Sequence, residues 1–247
     1  MNFHRVFSRR FLPLFLMAGA VLALGASAWA DRDDDDDDDE KVVELAESRI
    51  FIEYNSSDND LGFHVKLDGE NWRKIKIVNP KRRTIFEVAG KASFGKIGLT
   101  ELFFEGAEPS LDDRPLAELL ALFPEGDYKF SGETVKGDDL VGTGKLTHAV
   151  PAAPTNVEAT LGANNSLVIS WDPVTTRPLG FPPGPIDIIG YQVILDSFQV
   201  TLPADATSVT VPAEFVESLE PGVYGFEVLA IEEGGNQTIT SGEITLE

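Results

Sequence analysis

The chain is predicted to be mainly all-β, arranged as two tandem β-sandwich domains with one short helix in the first. Three observations lead there. Apolar residues alternate with polar ones in strand-length runs, and Gly, Pro, Asn and Asp separate the runs. A proline-bracketed stretch, Val150-Pro-Ala-Ala-Pro154, divides the chain at a position that excludes helix. The pattern Gly-x-Tyr-x-Phe occurs at Gly126–Phe130 and again at Gly222–Phe226, 96 positions later and near one sandwich length. With 247 residues and 43% hydrophobic content there is room for two packed cores.

Residues 1–30 read as a secretory signal peptide. Arg5, Arg9 and Arg10 precede the apolar stretch Phe11–Leu24, and Ala28-Trp29-Ala30 is a small-x-small cleavage site. Ser8-Arg9-Arg10-Phe11-Leu12 also resembles a twin-arginine signal, with Pro13 departing from it. The expected location is therefore secreted or periplasmic, with no stable membrane insertion after cleavage.

Residues 31–40 form an acidic spacer: Asp31-Arg32, seven aspartates (Asp33–Asp39) and Glu40. Such a run repels itself and buries no apolar area, so it is expected to stay solvated. It offers oxygens to calcium or a mineral surface, and an acidic partner for Arg73, Lys74, Lys76, Lys81, Arg82 and Arg83. The net charge is −21, and residues 151–247 hold thirteen carboxylates against one cation, Arg177. A polyanion of this kind argues against nucleic acid as a partner. The absence of cysteine removes disulfides, thiolate chemistry and a lipoprotein anchor.

Residues 41–150 form the first expected domain. Phe63, Val65 and Leu67 alternate with His64, Lys66 and Asp68, which gives one buried and one wet face. Asp68-Gly69 reads as a turn, with Trp72–Val78 returning as a new strand. Asn79-Pro80 turns into Thr84–Val88, and Gly98–Phe104 is a further strand. Leu116, Leu119, Leu120 and Phe123 fall at i, i+3, i+4 and i+7, a single stripe on a short helix. Asp112 and Asp113 are expected to cap it, with Pro115 in its first turn. Tyr128 and Phe130 open a strand, and Leu140–Thr147 closes the domain. If the Gly-x-Tyr-x-Phe echo is structural, this domain is a sandwich of immunoglobulin-like ancestry, and Tyr128 sits at its end entering the penultimate strand.

Residues 151–247 carry Leu167, Ile169 and Trp171, then Tyr191, Val193 and Leu195, then Val209 and Val211 at alternating positions. Tyr224, Phe226, Val228 and Ala230 follow, then Ile239, Ile244 and Leu246. Pro154, Trp171-Asp-Pro173, Gly190-Tyr191-Gln-Val193, Leu219-Glu-Pro221-Gly222-Val-Tyr224 and Gly235-Asn236-Gln-Thr238 together resemble a bacterial-type fibronectin type III domain. The resemblance implies a two-sheet sandwich whose tyrosine corner fixes one end. No Arg-Gly-Asp motif is present, so the resemblance does not carry animal-type integrin adhesion with it.

Candidate sites are few. Asn55, Asp58 and Asp60 cluster side-chain oxygens in one loop, which suits calcium, although the spacing fails the EF-hand pattern. Trp72 offers a sugar-stacking face, against a plain core role. Phe181, among Pro178, Pro182, Pro183 and Pro185, is either an exposed contact or a cap on the sandwich edge. His64 and His148 read as solvated or structural, and no nucleophile elbow or phosphate loop occurs. No cofactor is implied, calcium excepted. The leading expectation is an exported non-enzymatic binding or cell-surface interaction protein with an unknown protein or polysaccharide partner. A carbohydrate- or calcium-binding accessory protein using the first domain is the alternative, and an enzyme with an unrecognised site is the third.

Overall fold

The computed structural model describes residues 41–162 and 164–247. The expected leader and acidic spacer lie outside the described residues. The first half contains β1 (Val42–Glu44), β2 (Glu47–Asn55), β3 (Asp60–Val78), β4 (Thr84–Ala89), α1 (Ala92–Ile97), β5 (Leu99–Glu105), α2 (Leu116–Leu122), β6 (Gly126–Thr134) and β7 (Asp139–Leu146). The second half contains β8 (Glu158–Leu161), β9 (Leu167–Ser170), β10 (Ile188–Leu195), β11 (Phe198–Pro203), β12 (Ser208–Val211), α3 (Ala213–Val216), β13 (Gly222–Glu232) and β14 (Gln237–Leu246). The fold is mainly β, as expected. The helix foreseen near 116–123 is present, and among the described residues two further short helices join it.

The first core is wrapped around β3. Residues expected as two strands joined at Asp68-Gly69 form one strand that changes partners midway. Its first half lies between β2 and β5, and its second half between β4 and β6. The chain bends where the register shifts, between Asp68 and Trp72. Gly69 permits the bend to be covered: a Cβ there would lie 2.6 Å from a Leu45 methyl carbon. One strand thus takes four partners in turn and lines the core of Ile50, Ile52, Val65, Trp72, Ile75, Ile77 and Tyr128. The α2 stripe closes this core, with Phe123 stacked on Phe63 at 3.9 Å. Pro115 occupies the N-cap and no side chain caps the helix. Asp112 instead accepts from Asn59 Nδ2 at 3.2 Å, so the expected carboxylate cap is not formed.

The second core lies between a three-stranded sheet, β8-β9-β12, and the four strands β11-β10-β13-β14. Trp171 and Tyr191 pack with ring centroids 5.3 Å apart, and the Tyr191 oxygen accepts the Val174 N–H at 2.7 Å. Tyr224 donates its hydroxyl to Glu220 O at 2.7 Å, the expected corner. Tyr128 repeats the arrangement, donating to Pro124 O at 3.0 Å from the start of β6, which pairs with the closing strand β7. Both phenols reach back four residues. The sequence echo is therefore a shared structural corner at the end of each sandwich.

Val150–Pro154 is not a free hinge. Val150 is buried in the first core, and Thr238 and Thr240 donate their hydroxyls to Pro151 O (2.6 Å) and Pro154 O (2.9 Å). Because β14 also pairs in parallel with β2, the sheets of the two sandwiches merge edge to edge.

Candidate functional site

The most distinctive chemistry lies where the sandwiches meet. The parallel pairing of β14 with β2 aligns Gln237 with Glu53, Thr238 with Tyr54 and Ile239 with Asn55. Asn236 anchors its start and is only 1% exposed. Its Oδ1 accepts the Ile52 N–H at 2.8 Å, while Nδ2 donates to the Thr147 and Ala149 carbonyls, each at 3.1 Å. Ser56 donates its hydroxyl to Ile239 O at 2.6 Å, and Ser57 Oγ accepts the Ser241 N–H at 2.9 Å. Buried polar groups are costly unless paired, and here each polar side chain completes backbone groups of the other sandwich.

On the outward face of this merged sheet, Glu53 of β2 and His64 of β3 come together with Glu108 from the loop after β5. One ligand atom from each lies within 4.8 Å of the other two. His64 Nε2 is 3.7 Å from Glu53 Oε1. Glu53 accepts a hydrogen bond from Gln237 Nε2, so the second sandwich contributes to the cluster. The loop is held along β3 by Gly106 N–H to Phe63 O (2.9 Å) and by the bridge between Asp60 and Ser110. Gly62, directly across from Glu53, makes room for Glu108: a Cβ at 62 would lie 2.9 Å from Glu108 Cγ.

Alternation placed His64 on a wet face, but the residue is 4% exposed. Phe51 stacks on its ring at 5.0 Å, and Phe103 flanks it at 5.8 Å. Burial pushes its pKa down to about 4, so the imidazole is neutral at pH 7. Burial, with Glu108, Glu105 and Glu227 nearby, pushes the Glu53 carboxyl up to about 8, although the Gln237 bond acts against this. The cluster thus takes up a proton readily, or a cation in its place.

Asn55, Asp58 and Asp60 bound the β2–β3 turn. Asn55 Nδ2 donates to Asp58 Oδ2 at 3.0 Å, and Asn55 Oδ1 accepts the Ser57 and Asp58 N–H groups. Asp60 is buried at the start of β3. Asn55 is thereby committed to shaping the turn. Trp72 is 1% exposed within the first core, so its indole presents no stacking face to a sugar. Phe181 packs on Tyr54 of the first sandwich at 4.9 Å; the proline-rich loop covers the seam, held by Arg177 Nε to Pro185 O at 2.9 Å. Glu108 and Gln237 escaped sequence reasoning. A loop glutamate and the start of a hairpin carry no periodic signal, and only the seam register brings them together.

A β8-β9-β12 sheet facing β11-β10-β13-β14, closed by a tyrosine corner, defines the C-terminal half as a fibronectin type III-like sandwich. No protein-family model matches the chain, and no curated protein matches it. Similar solved structures include the Clostridium perfringens spore cortex lytic enzyme SleM (19% identity over 39% of this chain, TM-score 0.31). Two chicken structures are also similar. They are the CNTN1 FN1–FN3 domains (14% identity over 84% of this chain, TM-score 0.35) and a two-domain fibronectin type III segment of tenascin (13% over 82%, TM-score 0.28). The chain spans 28% of the SleM chain, 65% of the CNTN1 segment and 99% of the tenascin segment. Among the described residues no helix is long and apolar enough to cross a membrane.

Proposed function

We propose that the chain is an exported, non-enzymatic surface-interaction protein in which two sandwiches act as one binding unit. The observation that carries this reading is the merged sheet. Strands from both halves form a single hydrogen-bonded path from β1 to β11, and the linker is bonded into the seam. Such a joint presents one broad, pre-ordered surface and avoids the ordering entropy that a flexible tandem would lose on binding. Export is supported by the leader composition.

The test has two parts. The chain recovered from outside the cytoplasm should have the mass of residues 31–247. Added back to intact producer cells, it should be retained saturably and more strongly than an unrelated protein of equal charge. A full-length chain confined to the cytoplasm, or retention no better than that control, would overturn the proposal.

A further inference from the structure

We propose that Glu53, His64 and Glu108 form a binding site for a divalent transition-metal ion, with zinc the best-fitting ion. His64 is almost fully buried, yet neither ring nitrogen has a hydrogen-bond partner. Two orphaned nitrogens on one buried ring are rare, because each costs about 1–3 kcal/mol when left unsatisfied. Nε2 faces the Glu53 carboxyl at 3.7 Å, beyond hydrogen-bond range. Four-coordinate zinc with nitrogen and oxygen ligands at about 2.0–2.1 Å sets its ligands roughly 3.3 Å apart. The His64–Glu53 pair already stands near that spacing, and Glu108 completes a triad within 4.8 Å.

The surroundings favour a cation. Among the described residues, the charged groups that act on Glu53 from neighbouring elements are Glu108 of the loop after β5, Glu105 of β5 and Glu227 of β13, each a carboxylate. A divalent ion would neutralise charges that the fold has gathered in one place. The donor set selects among ions. One imidazole nitrogen with two carboxylate oxygens suits zinc, whereas calcium asks for six to eight oxygens and magnesium for a mostly hydrated octahedron. Positioning also favours a built site. Gly62 leaves the space that the Glu108 side chain fills, and Gln237 Nε2 holds the second Glu53 oxygen, leaving the first toward His64. The ion would bridge β2, β3 and the covering loop beside the seam.

The experiment is a zinc titration of the purified, chelator-stripped chain by calorimetry, with calcium and magnesium in excess. Melting is followed in parallel, and cobalt(II) serves as a visible-absorbing substitute. A single saturable site is expected, raising the melting midpoint because the ion binds only the folded form. His64→Gln should weaken it by at least about a hundredfold, since losing a direct ligand exceeds the 10–100-fold cost of losing a supporting contact. The aspartate run is intact in that variant, so zinc held by the run would persist. Glu108→Gln, in a partly exposed loop outside the core, gives the same reading should His64→Gln fail to fold. Tight binding unchanged in the folded variants, or no saturable site in the parent chain, overturns the proposal.

Discussion

The ionisation of Glu53 and His64 dictates an unusual pH–stability profile. The carboxyl is raised from 4.5 to about 8 in the folded chain, and the imidazole is lowered from 6.5 to about 4. Between pH 4.5 and 6.5 the folded chain holds a proton on Glu53 that the unfolded chain lacks, while the unfolded chain holds one on His64. The two contributions cancel, so this pair leaves the profile flat. Between pH 6.5 and 8 only Glu53 of the pair differs. The folded state then binds more protons than the unfolded, so stability falls as pH rises, by about 1.4 kcal/mol per unit and about 2 kcal/mol across the interval. In Glu53→Gln the carboxyl contribution vanishes. Stability should rise from pH 4.5 to 6.5, as His64 alone dictates, and then level off. Glu227 and Glu232 are also raised by burial and add a fall with pH, but they are common to both chains and cancel in the difference. The assay is urea unfolding at pH 5, 6.5 and 8 with chelator present, comparing parent and variant. A difference between the two chains that stays constant from pH 5 to 8 refutes the assignment of a buried, protonated Glu53.

Two further outcomes follow from the seam and the corners. Asn236→Ala strands the Ile52 N–H and the Thr147 and Ala149 carbonyls, so it should cost about 3–5 kcal/mol on the scale of unsatisfied buried groups, measured by urea unfolding; a loss under about 1 kcal/mol would show that water replaces it. Tyr128→Phe should cost about 1–2 kcal/mol and Tyr224→Phe clearly less, because the Tyr128 ring is fully buried whereas the Tyr224 bond is open to solvent; equal losses in thermal melts would contradict that ranking.

What the sequence disclosed depended on the range of the interaction. Alternation over Leu167–Trp171 and Tyr191–Leu195 revealed inward faces, because pleating makes neighbours i and i+2 share a side. The two tyrosine corners were legible for the same local reason: each phenol bonds four residues back. Asp68-Gly69 misled because a turn and a covered bend use the same small residue, and only Leu45, distant in sequence, distinguishes them. His64 misled because alternation says which way a side chain points, and not what covers it. Phe51, Phe103 and the loop after β5 make that decision. Ile52 and Asn236 are 184 positions apart, and no local pattern announces their bond.

The candidate site depends on the seam register. The β14–β2 ladder has only three aligned pairs, too short to fix its own alignment. A one-residue slip would turn every β14 side chain to the opposite face, and a two-residue slip would set Ile239 against Glu53 in place of Gln237. Side chains outside the ladder prevent this. Asn236 bonds Ile52, Thr147 and Ala149, while Thr238 and Thr240 bond the segment between the sandwiches. In a chain without cysteine these bonds take the part that a covalent cross-link would play, and they do so at the strand that delivers Gln237 to Glu53. The same contacts that make two sandwiches one unit therefore set the geometry of the carboxylate–imidazole cluster. Loosening the seam should disturb the cluster even when none of its own residues is changed.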